Sequence, residues 1–386
     1  MDADIAQLAR CIGDVDRFAR DHWGRRSLHR SSGAAFTDLL SIDGIEHLLL
    51  ATARRPTFRL VRDGVTLPAE RSTAAVRVGG ARLDDVADLA RIAGAVDDGA
   101  TLVLHGLQRT SLTLAAFCRS LERATSHPVQ ANAYLTPAGA SGLAQHTDDH
   151  DVLVLQVLGA KTWKVDDLGA VETAAGDVLY IPAGTPHSAE AQGSPSLHLT
   201  VGLLRVTHAQ VLRRVLDGLA TPLDLGRPLP LGYARPEQAD ALVAAIRATV
   251  VEVASALDGD TAARSGEVAE AESRRAHTRR HPLPLGQLRS VLELDDLNAS
   301  SVVHRRPDHP ARIAAELAPG GRVVIELVDR RVTVPAAMRP AVQQLLDQPQ
   351  VAIADLAGLD EGSRLVLVRR LIREGLLVVG PAPATC

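Results

Sequence analysis

VQANAYLT (129–136), DVLVLQVLG (151–159), KTWKV (161–165), DVLYIP (177–182) and SLHLTVGLL (196–204) are short apolar or alternating runs crowded between positions 129 and 206. Each has the length and β-branched content of a strand, and Pro137, Gly139, Gly142, Gly159, Gly176 and Gly184 punctuate them with turn signals. Closely spaced short strands with glycine turns predict a jelly roll or barrel.

Upstream of these runs, residues 1–50 carry apolar residues at helical spacing in IAQLARCI, DVDRFARDHW and FTDLLSIDGIEHLLL, with Thr37 and Ser41 as N-cap candidates. From about residue 56 the texture turns β-like (TFRLVRDGVTL, AAVRVGG). LDDVADLARIAGAV (83–96) then reads as a helix, TLVLHGL as a strand and SLTLAAFCRSLERATS as an amphipathic helix. Downstream, 207–281 returns to helix, and the end of the chain (351–379) reads helix, turn, helix, strand, the order of a winged helix. The expected organisation is α+β: a barrel domain over 1–206 with its core at about 100–206, a helical region over 207–282, and a winged-helix-like domain over 283–386.

The 386 residues are 46% hydrophobic and 23% charged, the balance of a globular protein, and no run of about 18 apolar residues suggests a membrane span. Cys11, Cys118 and Cys386 are too scattered for a disulfide framework or a zinc ribbon. With no signal-like N-terminus, the sequence predicts a cytoplasmic protein. A net charge of −4 argues against direct nucleic-acid binding, and the RRAHTRR tract at 274–280 has neighbouring glutamates that suit a solvated helix face.

The chemistry concentrates at Gln145-His146-Thr147-Asp148 and Thr185-Pro186-His187. On a strand, His146 and Asp148 at i and i+2 point to one side. His-x-Asp alone is a common chance pairing. Its weight comes from the second piece, 176–187, which reads as a turn, a buried strand and a glycine-proline bend that delivers His187. Two histidines and one carboxylate form the facial triad of non-haem Fe(II), which leaves coordination positions open. Lys161 and Lys164 are the only lysines among 42 basic residues. Taken alone, Lys161 reads as a solvated hairpin lysine, but a chain that otherwise uses arginine keeps a compact ammonium there in place of a planar fork. Lys164 reads as surface, and Asp149 has the wrong parity for a ligand. His150 and Asp151 could hydrogen-bond behind the triad but read more readily as an exposed turn. His198 and Thr200 share parity and could face into the barrel or equally be packed core polar residues.

These residues resemble the cupin-4 group of JmjC-type 2-oxoglutarate-dependent oxygenases, which includes the ribosomal oxygenases. The resemblance runs from DRFARDHWGRRSLHR (16–30) through FTDLLSIDGIEHLL to about Leu204, and is most specific at Asn132-Ala133-Tyr134-Leu135-Thr136-Pro137, Gly142 and HTDDHDVLVLQVLGAKTW (146–163). It implies a double-stranded β-helix, Fe(II) held by His146, Asp148 and His187, and 2-oxoglutarate as co-substrate. Lys161 would pair with its distal carboxylate, and Asn132 and Tyr134 would line its pocket. It further implies O2 as oxidant, a protein or peptide substrate such as a ribosomal protein, and a homodimer built from 207–282. The interval from Lys161 to His187 is shorter than in the ribosomal oxygenases, which favours a smaller peptide or metabolite as an alternative substrate. A third reading, a non-catalytic cupin scaffold, gives no chemical reason to keep triad and lysine together.

Overall fold

In the computed structural model these runs pair into two antiparallel sheets packed face to face. The structure describes residues 3–33, 36–140, 144–191, 193–219, 223–229, 231, 239–258, 271–272, 275–276, 286–306, 309, 311–314, 317–327 and 329–380. Gly142, Cys386 and all of the 274–280 tract except 275 and 276 lie outside them. The larger sheet has eight strands in the order Leu28–Ser31, Asp177–Ile181, Asp151–Leu158, Ser196–Leu203, Val129–Thr136, Thr101–Leu104, Phe58–Arg62 and Val65–Thr66. The smaller has three, Gly169–Ala174, Ala160–Val165 and His187–Ala191. The mixed helix and sheet content and the jelly-roll core match the expected α+β class.

Side-chain alternation explains why Asp151–Leu158 is apolar at nearly every position. Val152 and Val154 face the small sheet, where with Leu179 and Ile181 they meet Trp163, Val165 and Ala189. Leu153, Leu155 and Val157 face the other way, into a core shared with Leu8, Cys11 and Ile12 of the helix Ala3–Ile12 and Leu114, Phe117 and Leu121 of the helix Leu112–Thr125. A strand covered on both faces loses the polar half of its pattern.

Gly159 turns the chain from one sheet into the other at φ +66°, and a Cβ there would lie 2.0 Å from the carbonyl oxygen of Pro195. Ser41 caps the helix Ile42–Thr52 by accepting from the Gly44 N–H at 3.1 Å, whereas Thr37 lies in a turn. The stretch 83–96 departs from its helical reading. Residues through Ala87 form a strand, Ala81–Ala87, paired with Thr73–Val78, and Asp88 caps a helix only over Leu89–Asp97. Hairpin pairing outweighs a local helical period in the first half of that segment.

The chain divides into two compact units, residues 1–205 with 280–386, and residues 206–279. The second unit contains the helices His208–Leu219 and Ala239–Asp258. Within the first, residues beyond 286 build their own core around Val303, Ile325, Val342, Leu367 and Leu371. The start of 351–379 is not helical: Gln350–Ala352 is a strand beside Val302–Arg305, followed by one 3₁₀ turn, Ile353–Asp355. The helix Glu361–Arg373 follows, with Arg369 donating to the Leu294 carbonyl at 3.0 Å and Arg370 paired with Glu374 at 2.8 Å. Two of its four arginines thus serve the local fold. Among the described residues no helix is long and apolar enough to cross a membrane.

Candidate metal centre

Neither His146 nor Asp148 lies on a strand, contrary to the sequence reading. They sit in the loop ahead of Asp151–Leu158, where His146 makes an isolated antiparallel bridge to His187, the first residue of its strand. Reciprocal bonds, His146 N–H to the His187 carbonyl (3.0 Å) and the reverse (2.9 Å), extend the small sheet by one residue. The Gly184 N–H donates to the Asp148 carbonyl at 2.8 Å. Backbone bonds therefore draw the loop and the bend together where strand pairing was expected to do so.

The His187 Nε2 lies 3.5 Å from Asp148 Oδ2, and the His146 Nε2 lies 4.0 Å from Asp148 Oδ1. One donor atom from each of the three lies within 4.8 Å of the others, and among the described residues no other cluster of His, Cys, Asp or Glu is so disposed. Each imidazole has its Nδ1 against a carbonyl, Ala144 for His146 (2.9 Å) and Thr185 for His187 (3.0 Å). A carbonyl only accepts, so Nδ1 carries the proton and Nε2 keeps its lone pair for a cation. Burial lowers the pKa of His187, and the nearby His146 adds to the effect, which favours the neutral, ligating form. Two imidazoles and a carboxylate suit Fe(II). Cys11 and Cys118 are packed in the helical layer, where burial pushes the Cys11 thiol up to about 12, and neither belongs to this cluster.

His146, Asp148 and His187 line a cavity of about 100 Å³ that also takes in Lys161, Asn132 and Tyr134. Lys161 is 2% exposed, and its ammonium donates to the Thr136 hydroxyl at 3.1 Å. Among the described residues no carboxylate pairs with it. Desolvation pushes it from 10.5 down to about 8. Asn132 accepts from the Gly106 N–H at 3.0 Å, and burial raises the pKa of Tyr134. Lys164 is exposed beside Glu190, 3.5 Å away.

One sequence reading left open is decided, and two need correction. His198 and Thr200 line the cavity opposite Tyr134 and Asn132, their partners in strand register. The His198 ring stacks flat on Tyr134 at 4.9 Å between centroids, and its Nδ1 is sealed off without a partner. Their shared parity was the sequence signal for the barrel-facing alternative. His150 is not in an exposed turn: its ring lies against Gly202, where a Cβ would come within 2.7 Å of it, and it too lines the cavity. Asp151 is fully buried. It accepts from the Tyr180 hydroxyl (2.6 Å) and the Ala183 N–H (2.8 Å), with Arg205 Nε 3.1 Å away.

The chain is similar to known proteins in sequence and in fold. The model of the JmjC domain matches residues 104–174 and 170–212. The chain is 32% identical over 146 residues to the bifunctional lysine-specific demethylase and histidyl-hydroxylase NO66 of Dictyostelium discoideum, covering 31% of this chain and 28% of that protein. It is 35% identical over 144 residues to ribosomal oxygenase 1 of Bos taurus, covering 31% and 22%. The chain thus spans less than a third of the length of these curated relatives. Its fold matches that of the Escherichia coli ribosomal oxygenase YcfD over 96% of this chain and 99% of that one, with a TM-score of 0.53 at 17% identity. A further structure of YcfD, with cobalt and 2-oxoglutarate, gives a TM-score of 0.52. Residues 104–212 thus match a JmjC domain, and the chain is similar in sequence over that region, and in fold, to ribosomal oxygenases.

Proposed function

We propose that the chain is an Fe(II)- and 2-oxoglutarate-dependent oxygenase that hydroxylates a side chain of a protein or peptide, with a ribosomal protein as substrate. One observation carries the reading: a His-Asp-His donor set and a buried lysine without a carboxylate partner share one cavity. His146, Asp148 and His187 hold the iron, and Lys161 pairs with the distal carboxylate of 2-oxoglutarate. Asn132 and Tyr134 line the co-substrate pocket. The bound iron, with 2-oxoglutarate and O2, supplies the oxidising power for hydroxylation.

The chain's own groups bind and orient. Three protein ligands leave part of the coordination sphere to the reactants. The hydrogen-bonded Nδ1 atoms fix both imidazole planes, so the Nε2 lone pairs are aimed before the metal arrives. Val152, Val154 and Trp163 wall the cavity with apolar surface, which keeps water from the lysine and strengthens its attraction for a carboxylate. Names of the relatives, histidyl-hydroxylase and ribosomal oxygenase, support a protein side chain as substrate. In the same reading residues 1–206 form the oxygenase domain, 207–282 a dimerisation region and 283–386 a winged-helix-like domain.

A second reading, hydroxylation of a small peptide or metabolite, draws on the short interval between Lys161 and His187, with its connections 166–168 and 182–186, and on the 38% exposure of the His146 side chain. The test is an Fe(II)-dependent assay of succinate formation, followed by mass-shift screening of ribosomal proteins and of small peptides. Iron-dependent succinate with a +16 Da shift, one added oxygen atom, on a ribosomal protein is the expected result. A shift confined to small peptides selects the second reading. No succinate under any condition leaves the scaffold reading.

A further inference from the structure

The residue after the cavity-lining His150 is an aspartate with no exposed surface, and the iron site does not use it directly. Its carboxylate gathers three segments distant in sequence. One oxygen accepts from the Tyr180 hydroxyl at 2.6 Å, and that hydroxyl in turn accepts from the Gly24 N–H at 2.8 Å. The other accepts from the Ala183 N–H at 2.8 Å and lies 3.1 Å from Arg205 Nε. The Arg205 contact is ionic, because that Nε has no directed hydrogen-bond partner. Tyr180 is itself fully buried, and burial with the Asp151 bond raises its pKa, so the hydroxyl stays protonated as donor.

Ala183 lies in the bend 182–186, which leaves the strand Asp177–Ile181 and delivers His187. The same bend is tied to the other side of the metal centre by the Gly184 N–H on the Asp148 carbonyl. Within the bend, a turn bond joins Thr185 N–H to the Pro182 carbonyl at 3.2 Å. A short bend between two prolines has few ways to fix itself, and Asp151 supplies a rigid, buried acceptor at its first free N–H. We propose that Asp151 is a positioning residue of the metal centre, acting through Ala183 to set the bend that aims His187. This rests on the reading of His146, Asp148 and His187 as metal ligands. Outer partners of this kind commonly change metal affinity by 10–100-fold.

The test compares Co(II) binding by the 386-residue chain and two variants, followed by titration and by the visible absorption bands of the bound ion. Asp151→Leu keeps the approximate size and removes every acceptor; it is expected to weaken Co(II) about 10–100-fold and to shift the bands. Asp151→Asn keeps one oxygen for Ala183 while losing the charge opposite Arg205; it is expected to stay within about threefold of the parent, as rescue through that one bond requires. Parent-like affinity and bands in Asp151→Leu, or an Asn variant as impaired as the Leu variant, overturn the proposal. Should Asp151→Leu fail to fold, Ala183→Pro removes the same hydrogen bond from its other end and is expected to give the same loss. Hydrogen exchange of the parent gives an arm that needs no metal: the Ala183 amide should be protected despite lying in a bend, and rapid exchange there overturns the proposal. A parent that binds no Co(II) would refute the proposed function, while the exchange arm would still decide what Asp151 holds.

Discussion

At the scale of single residues, Lys161 shows how a site can be read from what it costs. Burial brings its pKa from 10.5 to about 8, so the ligand-free protein loses up to about 3 kcal/mol by keeping it charged at neutral pH. The unfolded chain holds this proton up to 10.5 and the folded chain only to about 8. Stability of the ligand-free protein should therefore rise with pH between those values and be flat below them. Lys161→Met should stabilise the ligand-free protein and weaken 2-oxoglutarate on the order of a hundredfold, with little change in metal affinity. Denaturation and calorimetric titration check the two halves, and an unchanged 2-oxoglutarate affinity would remove the assigned role. In the parent, co-substrate affinity should fall about tenfold per pH unit above about 8, as the ammonium loses its proton. His146→Ala, at a half-exposed position, should abolish metal-dependent succinate formation while leaving the melting temperature within a few degrees. Lys161 stood out in the sequence because arginine bias makes any lysine informative. Asp151 did not, because a polar residue after a turn reads as exposed until Tyr180, Ala183 and Arg205, all distant in sequence, close over it.

At the scale of elements, the strands were legible wherever burial imposes a period or removes one. The largely apolar run at 151–158 and the alternation at 129–136 both follow from which faces are covered. The first half of 83–96 was not, since Val86 continues the helical spacing of Leu89 and Ala93 yet lies on a hairpin arm, which the pairing of Thr73 with Ala87 shows. Nor could the loop character of His146 and Asp148 be seen, because i and i+2 residues can be brought to one side by a loop as well as by a strand. The crossing between sheets offers a sharp test. Gly159 and Gly169 both have positive φ, +66° and +78°, but only Gly159 faces backbone at contact distance. Gly159→Ala should cost more than about 3 kcal/mol, combining conformational strain with a displaced Pro195 carbonyl, whereas Gly169→Ala should cost about 1 kcal/mol from strain alone. Urea denaturation of the two variants measures both, and equal losses would show that Pro195 yields freely.

At the scale of the whole molecule, the unit 206–279 exposes more apolar surface than a solvated helix pair needs. Leu212 and Leu216 are one helical turn apart on His208–Leu219. Val243, Ile246 and Val250 follow the same stripe spacing on Ala239–Asp258, and all five are exposed. Isolated apolar side chains on a surface are ordinary, but a stripe at helical period is a face made to be covered. A two-fold contact between identical chains covers it with the fewest new features, since each copy brings the same stripe. We therefore expect a homodimer in solution, with these helices at its interface. Leu212→Glu with Val250→Glu would place two charges in that interface and should convert the protein to monomer, while Co(II) affinity, set by residues of the other unit, stays within about twofold. Light scattering at micromolar concentration reads the first effect and titration the second. A parent that is monomeric, or a double variant that remains dimeric, would mean that the stripe is not the self-association surface.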